Sequence, residues 1–321
     1  MAETVSMKDI ASANAGKFQD PFFTATGETR AKVSLNSPKT LWFNTGTLCN
    51  IECVNCYIES SPTNDALVYI SAAEVRDYLD QLSARHWPVT EIAFTGGEPF
   101  MNPEMVEMAR LSLEREYDVL ILTNAMRPMM RRKMQEGLLD LNRRFGGRLT
   151  LRISLDHYDA ASHDKERGVG AFDKTLGGMK WLRDNGFRMA VAGRAAMAEN
   201  EAENRSGYAA LFEKHGFNID AYDPAATVLF PEMDIAAEVP EITTSCWDIL
   251  NKSPDSLMCS SSRMVVKRKG AHQPAVLACT LLPYSEEFEM GTTLEDAERD
   301  VRLNHPHCAT FCVLGGASCS A

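Results

Sequence analysis

Thr47-Leu48-Cys49-Asn50-Ile51-Glu52-Cys53-Val54-Asn55-Cys56-Tyr57 places three cysteines in a C-x3-C-x2-C run just after a short apolar stretch, Thr40 to Asn44. Cysteine thiolates are the usual ligands of iron–sulfur clusters, and a four-iron cluster normally takes four of them. A tight group of three is therefore either an incomplete site or one that leaves an iron open for chemistry. A structural zinc site is the alternative, because clustered cysteines often serve that purpose. Zinc sites usually pair two cysteines with two further ligands, and here the next candidates in the chain are as far away as His86 and Cys246.

Downstream, Ser71 to Ala84 is amphipathic and opens with Ser71 and Glu74 at capping-box spacing, which predicts a helix. The apolar run Glu91-Ile92-Ala93-Phe94-Thr95 predicts a strand that ends in Gly96-Gly97-Glu98-Pro99. Small residues at a strand's end let the backbone approach a neighbour closely. The alternation then repeats. A helix from Pro103 to about Glu116 leads to strand Val119–Asn124, a helix around Met129 to Arg144 to strand Leu149–Asp156, and a helix from Phe172 to Asn185 to strand Phe187–Arg194. Repeating strand–helix units predict a parallel sheet. About six units end near Phe230, short of the eight of a closed barrel.

The cysteine spacing, the GGEP segment some forty residues later and the stretch Ser154 to Gly168 followed by Phe172-Asp173-Lys174-Thr175-Leu176 together resemble the radical S-adenosylmethionine (radical SAM) enzymes. The resemblance implies an α/β fold, a partial (β/α)6 TIM-like barrel, with ligands at the C-terminal ends of its strands. It implies a [4Fe-4S] cluster on Cys49, Cys53 and Cys56 whose open iron chelates S-adenosylmethionine. Gly96, Gly97 and Glu98 would face the methionyl amino group, Ser154 and Asp156 the ribose or carboxylate, and Arg194 the carboxylate through its planar fork. Tyr57 and Asn124 complete the expected cofactor contacts. The chain departs from the family in one respect: Asn55, not an aromatic residue, precedes the third cysteine.

The other six cysteines, Cys246, Cys259, Cys279, Cys308, Cys312 and Cys319, all follow residue 245, where the strand–helix rhythm stops. A disulfide framework is one reading. Metal ligation is the other, favoured because Met1-Ala2-Glu3-Thr4 begins no signal peptide and no apolar run approaches the ~18 residues needed to span a membrane. The expected location is the cytoplasm, where thiols stay reduced. Met264–Lys267 and Ala275–Ala278 flank a turn at Gly270 and predict a hairpin with a cysteine at each end. A helix is expected from Thr292 or Thr293. That order resembles the twitch domain and the first half of the SPASM domain, which implies at least one auxiliary [4Fe-4S] cluster on Cys259, Cys279, Cys308 and Cys312, with Cys319 or Cys246 able to replace one of them. The expected division is an N-terminal extension (1–36), a barrel (37–230) and an auxiliary-cluster domain (231–321).

At 321 residues and 45% hydrophobic content the chain can bury a core of this size, and its formal charge of −11 argues against a nucleic-acid surface. The function these features imply is reductive cleavage of S-adenosylmethionine to a 5′-deoxyadenosyl radical and hydrogen abstraction from a small molecule or short peptide. The auxiliary cluster would accept an electron or bind substrate, and a flavodoxin- or ferredoxin-type protein would supply the reductant. Maturation of a ribosomal peptide or protein is an alternative outcome. A non-catalytic electron carrier or cluster scaffold is the competing class, although it would have no use for GGEP or polar strand ends. Tyr222 and Asp223, on the approach to the sixth strand, are the candidate catalytic pair, an acidic group being suited to taking a proton as an electron leaves.

Overall fold

The computed structural model describes residues 14, 16–195, 200–231 and 238–316. The strands among the described residues are β1 (Lys32–Val33), β2 (Thr40–Asn44), β3 (Glu91–Thr95), β4 (Asp118–Thr123), β5 (Leu149–Ser154), β6 (Arg188–Ala195), β7 (Thr227–Pro231), β8 (Ser262–Val266), β9 (Ala275–Leu277) and β10 (Val301–Arg302). The helices are α1 (Ala72–Arg85), α2 (Met105–Glu114), α3 (Arg132–Phe145), α4 (Ala160–Arg167), α5 (Ala171–Asp184), α6 (Glu201–His215) and α7 (Cys246–Leu250). Strands β2 to β7 pair in chain order and in parallel, each joined to the next by one or two helices. This is the expected six-stranded partial barrel of the α/β class.

Side-chain alternation explains the layering, since successive residues of a strand face opposite sides. Leu41, Phe43, Ile92, Phe94, Val119, Ile121, Leu151 and Ile153 face the helices and form the main core with them. The alternate residues Trp42, Ala93 and Leu120 face inward and pack with Met264, Val266 and Leu277. Each fully buried side chain of this size contributes about 1.5–3 kcal/mol. Local signals agree with the tertiary arrangement. In α1, Ser71 Oγ accepts from Glu74 N while the Glu74 carboxylate accepts from Ser71 N, and the helix ends at His86 in the left-handed region, φ 52°.

After Phe230 the hairpin is present, and β8 pairs with β2 in parallel while β9 returns antiparallel to β8. The hairpin therefore continues the barrel sheet beyond its first strand, in the order β7-β6-β5-β4-β3-β2-β8-β9. Two local expectations differ from what is seen. The helix expected from Thr292 is only a short 3-10 turn, Asp296–Glu298. The Asp296 carboxylate gathers the amides of Thr292 and Thr293, and the chain then straightens at Arg299 into β10, which pairs with β1. Helix α4, absent from the sequence reading, is capped by Asp159 and stopped at Gly168, φ 97°. The N-terminal segment lies against the C-terminal one: buried Arg30 pairs with Glu241 and donates to the Leu303 carbonyl. No helix among the described residues is long and apolar enough to cross a membrane.

Candidate active site

The C-terminal ends of β2 to β6 enclose a cavity whose wall includes Cys49, Cys53 and Cys56 with Tyr57, Gly96, Gly97, Asn124, Ser154, Asp156 and Arg194. Every expected cofactor contact except Glu98 is brought together here. The cysteine loop is held from both sides. Cys49 N donates to the Ser61 carbonyl at 3.0 Å, Ser60 N to Cys56 Sγ at 3.3 Å, and Val54 N to the Glu166 carbonyl at the end of α4. Burial pushes the Cys49 thiol up to about 12, and it raises Cys53 too against the pull of Arg167. In the metal-free chain both stay protonated, so ligation would be coupled to proton release.

The two glycines act on the chain itself. Gly97 N donates to the Gly46 carbonyl at 2.8 Å and Glu98 N to the Leu48 carbonyl at 3.2 Å. A Cβ on Gly96 would stand 2.6 Å from the Gly46 carbonyl oxygen, and one on Gly97 2.4 Å from that of Leu48. The close approach that glycine permits is thus to the run leading into Cys49.

Glu98 lies behind this wall, 2% exposed. Its carboxylate accepts from Thr123 Oγ1 and Asn124 N, both at 2.8 Å, and from Phe100 N at 3.2 Å. Burial pushes its pKa up to about 7 although all three partners are donors that favour the charged form. Its oxygens are spent on fixing the end of β4, and Glu98, expected with Gly96 and Gly97 to face the methionyl amino group, does not line the cavity. Asn124, so placed, donates from Nδ2 to Asn50 Oδ1 at 3.0 Å, inside the cysteine loop.

Asp156 and Arg194 are also engaged with the chain. Asp156 accepts two bonds from Arg167, Nε at 2.7 Å and Nη2 at 2.9 Å, and lies 3.6 Å from Arg194 Nε. Arg194 Nη2 donates to the Asn55 carbonyl at 2.6 Å, and its guanidinium sits over the Tyr57 ring at 5.8 Å. Burial raises the Asp156 carboxyl, but Arg167 outweighs it and the group is held below its ordinary value. The clamp joins the loop to β5, β6 and α4. Sequence reading missed Arg167 because it did not foresee α4, whose last turn brings this side chain to Asp156. It also missed Asn44, Ser60, Thr280 and Leu281, which line the cavity. Only Asn44 carried a signal, standing two residues after inward-facing Trp42.

Tyr222 and Asp223 are not brought to the cavity. Both are exposed, in the turn that leads into the N-terminal end of β7, where Asp223 Oδ1 accepts from Ala225 N and the Asp223 carbonyl from Thr227 N. That is the opposite end of the sheet, so the catalytic expectation for this pair is corrected.

A second, smaller cavity is lined by Cys259, Cys279, Cys308 and Cys312, with His307, Leu257, Phe288 and Leu303. Cys308 and Cys312 come from one π-helical turn, Cys308–Leu314. Burial pushes the Cys259 thiol up to about 11 and raises Cys308, whose neighbours Cys279 and Cys259 add to the effect. Cys246 is not on this wall; its sulfur accepts from Thr243 N at 3.4 Å. Cys319 lies outside the described residues. Leu281 borders both cavities. All eight described cysteines are free thiols. Among the described residues, no three His, Cys, Asp or Glu side chains converge as around a single metal ion.

Residues 43–202 match the sequence model of the radical SAM superfamily. The chain is 29% identical over 153 residues to an AdoMet-dependent heme synthase of Methanosarcina barkeri, covering 47% of this chain and 41% of that protein. It is 33% identical over 145 residues to the antilisterial bacteriocin subtilosin biosynthesis protein AlbA of Bacillus subtilis, covering 45% of this chain and 30% of that protein. The chain thus spans less than half the length of either relative. Its fold is similar to the crystal structure of Streptococcus suis SuiB bound to S-adenosylmethionine, with a TM-score of 0.56 and 14% identity over 80% of this chain and 63% of that one.

Proposed function

Because the chain belongs to the radical SAM superfamily through residues 43–202, we propose that it cleaves S-adenosylmethionine reductively and abstracts hydrogen from a small molecule or short peptide. One observation carries the reading: three thiols and the Gly96–Gly97 turn share the wall of one cavity at the strands' C-terminal ends, the end at which barrel enzymes hold their active sites. The residues suit the cofactors. Cys49, Cys53 and Cys56 are free thiols on one wall, the soft sulfur donors that an iron–sulfur cluster takes.

Cys49, Cys53 and Cys56 would hold the [4Fe-4S] cluster, and the adjoining wall with Asn124 and Ser154 would hold S-adenosylmethionine. Reduced and bound, these groups supply a 5′-deoxyadenosyl radical. The chain's own part is to fix the loop. Glu98 sets Asn124, Asn124 holds Asn50, and the Asp156–Arg167–Arg194 clamp ties Asn55 to the sheet. Trp42, Leu122 and Phe230 line the cavity with apolar surface that limits water. Cys259, Cys279, Cys308 and Cys312 would hold an auxiliary [4Fe-4S] cluster in a domain comprising 231–321. A flavodoxin- or ferredoxin-type reductant and a cytoplasmic location complete the proposal. The relative named for bacteriocin biosynthesis supports a peptide substrate, and with it the alternative of a ribosomal-peptide maturase.

The test is anaerobic incubation of the reconstituted, reduced protein with S-adenosylmethionine, followed by assay for 5′-deoxyadenosine. Cys53→Ala should abolish the product while leaving iron in the C-terminal region. Absence of 5′-deoxyadenosine from parent protein with intact, reducible clusters would overturn the proposal.

A further inference from the structure

Asn44 and Ser60 are 1% and 4% exposed, and both line the upper cavity. Asn44 Nδ2 and Ser60 Oγ have no hydrogen-bond partner among the described residues, and leaving a buried amide or hydroxyl unbonded costs about 1–3 kcal/mol, so both call for partners on whatever fills the space. The orientation of Asn44 is set by its other end. Its Oδ1 accepts the Gly46 N–H at 2.9 Å, a bond that the NH2 end cannot make, so the group turned to the cavity is a donor only. Ser60 is anchored by its own N–H, which donates to Cys56 Sγ at 3.3 Å. Its hydroxyl can accept as well as donate.

The charged groups on the same wall are committed to one another: Asp156 to Arg167 and Arg194, and Arg194 also to the Asn55 carbonyl. Among the described wall residues the cations Arg167 and Arg194 are already engaged, so a carboxylate ligand would meet no uncommitted cation there, whereas Trp42, Leu122 and Phe230 offer apolar surface. An uncharged group with one acceptor and one donor satisfies both orphaned atoms. We infer that Asn44 and Ser60 form a subsite for a neutral amide of the substrate, the Asn44 side chain donating to its carbonyl oxygen and the Ser60 hydroxyl accepting its N–H. Strand order places Asn44, on β2, three strands from Ser154 on β5 and four from Arg194 on β6, with the Gly96–Gly97 end of β3 beside it. The inference rests on the functional reading above for what occupies the rest of the cavity.

The test uses reconstituted protein with S-adenosylmethionine bound, and two probes followed by ligand-observed NMR titration: N-acetylglycine N-methylamide, an uncharged diamide, and pentanoate, an anion of similar size. The diamide should bind the parent in preference to pentanoate. Asn44→Ala and Ser60→Ala should each weaken it about three- to tenfold, the loss of one neutral hydrogen bond. Asn44→Asp, which keeps the bond to Gly46 but removes the donor, should weaken it at least as much. Iron content and the Kd for S-adenosylmethionine, read by equilibrium dialysis, should stay within twofold of the parent. Equal diamide binding by parent and variants, a preference for pentanoate, or a matching loss of S-adenosylmethionine affinity would each overturn the inference. A parent that binds the diamide through these residues but does not bind S-adenosylmethionine would keep the subsite and overturn the functional reading instead.

Discussion

Gly97→Ala isolates the role of the glycine turn, because Gly97 has no positive φ and the effect of a methyl group there is steric alone. The new Cβ would lie 2.4 Å from the Leu48 carbonyl oxygen, 2.6 Å from that of Thr47 and 2.7 Å from the Leu48 carbonyl carbon. The nearest of these is about 1 Å inside comfortable contact. All three are backbone atoms, so no side-chain rotation relieves the clash. Relief requires moving Thr47–Leu48 away from Gly97, and Cys49 follows directly. Overpacking of this kind costs typically 1–3 kcal/mol, and the backbone contacts argue for the upper end. Against this, alanine lowers the entropy of the unfolded chain by about 0.4–1 kcal/mol. The net expectation is a loss of about 2 kcal/mol.

The control is Gly177→Ala on the exposed side of α5, where nothing lies within 4 Å of the added methyl. It should gain about 0.5–1 kcal/mol. Urea unfolding of the metal-free proteins, followed by circular dichroism, should therefore move the two midpoints in opposite directions. After reconstitution, Gly97→Ala should lose the iron assigned to Cys49, Cys53 and Cys56 while Gly177→Ala keeps it. A Gly97→Ala midpoint equal to or above that of the parent would refute the argument, since a real 2.4 Å approach leaves no room for stabilisation.

Arg167→Ala leaves Asp156 buried beside only the more distant Arg194, and breaking a buried pair costs about 3–5 kcal/mol. The Asp156 pKa is lowered in the folded chain, so the pair's stabilisation is present above the ordinary aspartate value near 3.9 and is lost as pH falls through the lower folded value. The variant should be less stable at neutral pH and should lose less stability than the parent on acidification below about pH 4, measured by urea midpoints at several pH values. Cys279→Ala should retain uncoupled formation of 5′-deoxyadenosine yet fail to convert the true substrate; full turnover would show that this thiol is not an essential ligand. Tyr222→Phe and Asp223→Asn should leave the rate of S-adenosylmethionine cleavage within about twofold of the parent, because both residues lie at the far end of the sheet; a hundredfold loss would restore them to the active site.

The barrel was legible because its signals are local and agree with one another. Thr40–Asn44 and Glu91–Thr95 are strands at the positions expected from their apolar runs, and the capping box at Ser71 and Glu74 forms as its spacing predicts. What the sequence could not show is which strand a later segment would join. The alternation in Met264–Lys267 reads as a hairpin, but its parallel pairing with Thr40–Phe43 is made across more than two hundred residues and leaves no mark in either segment. The short turn at Asp296 was hidden for a related reason. Thr293 and Asp296 resemble a helix start, but the chain straightens at Arg299 and runs into β10, where Val301 pairs with Val33.

The site was legible at the level of residue type and less so at the level of partner. Three cysteines at their spacing, two glycines at a strand end and polar groups at the ends of β4, β5 and β6 do converge on one cavity. Glu98, Asp156 and Arg194 carry the charges that a ligand would want, and a sequence gives no sign of whether a charge will meet a ligand or another side chain. Here Thr123, Phe100 and Asn124 claim Glu98, and Arg167 claims Asp156. These choices have a common physical cause: a buried charge must be paired or hydrogen-bonded before it can be tolerated, so the chain neutralises its own charges before any ligand arrives. On the cavity wall the polar atoms without a partner among the described residues are uncharged ones, Asn44 Nδ2 and Ser60 Oγ, whose desolvation costs less than that of a charge. An open hydrogen-bonding group in such a site is more informative about a ligand than a conspicuous charge, and it is carried by the two residues whose types drew the least attention in the sequence.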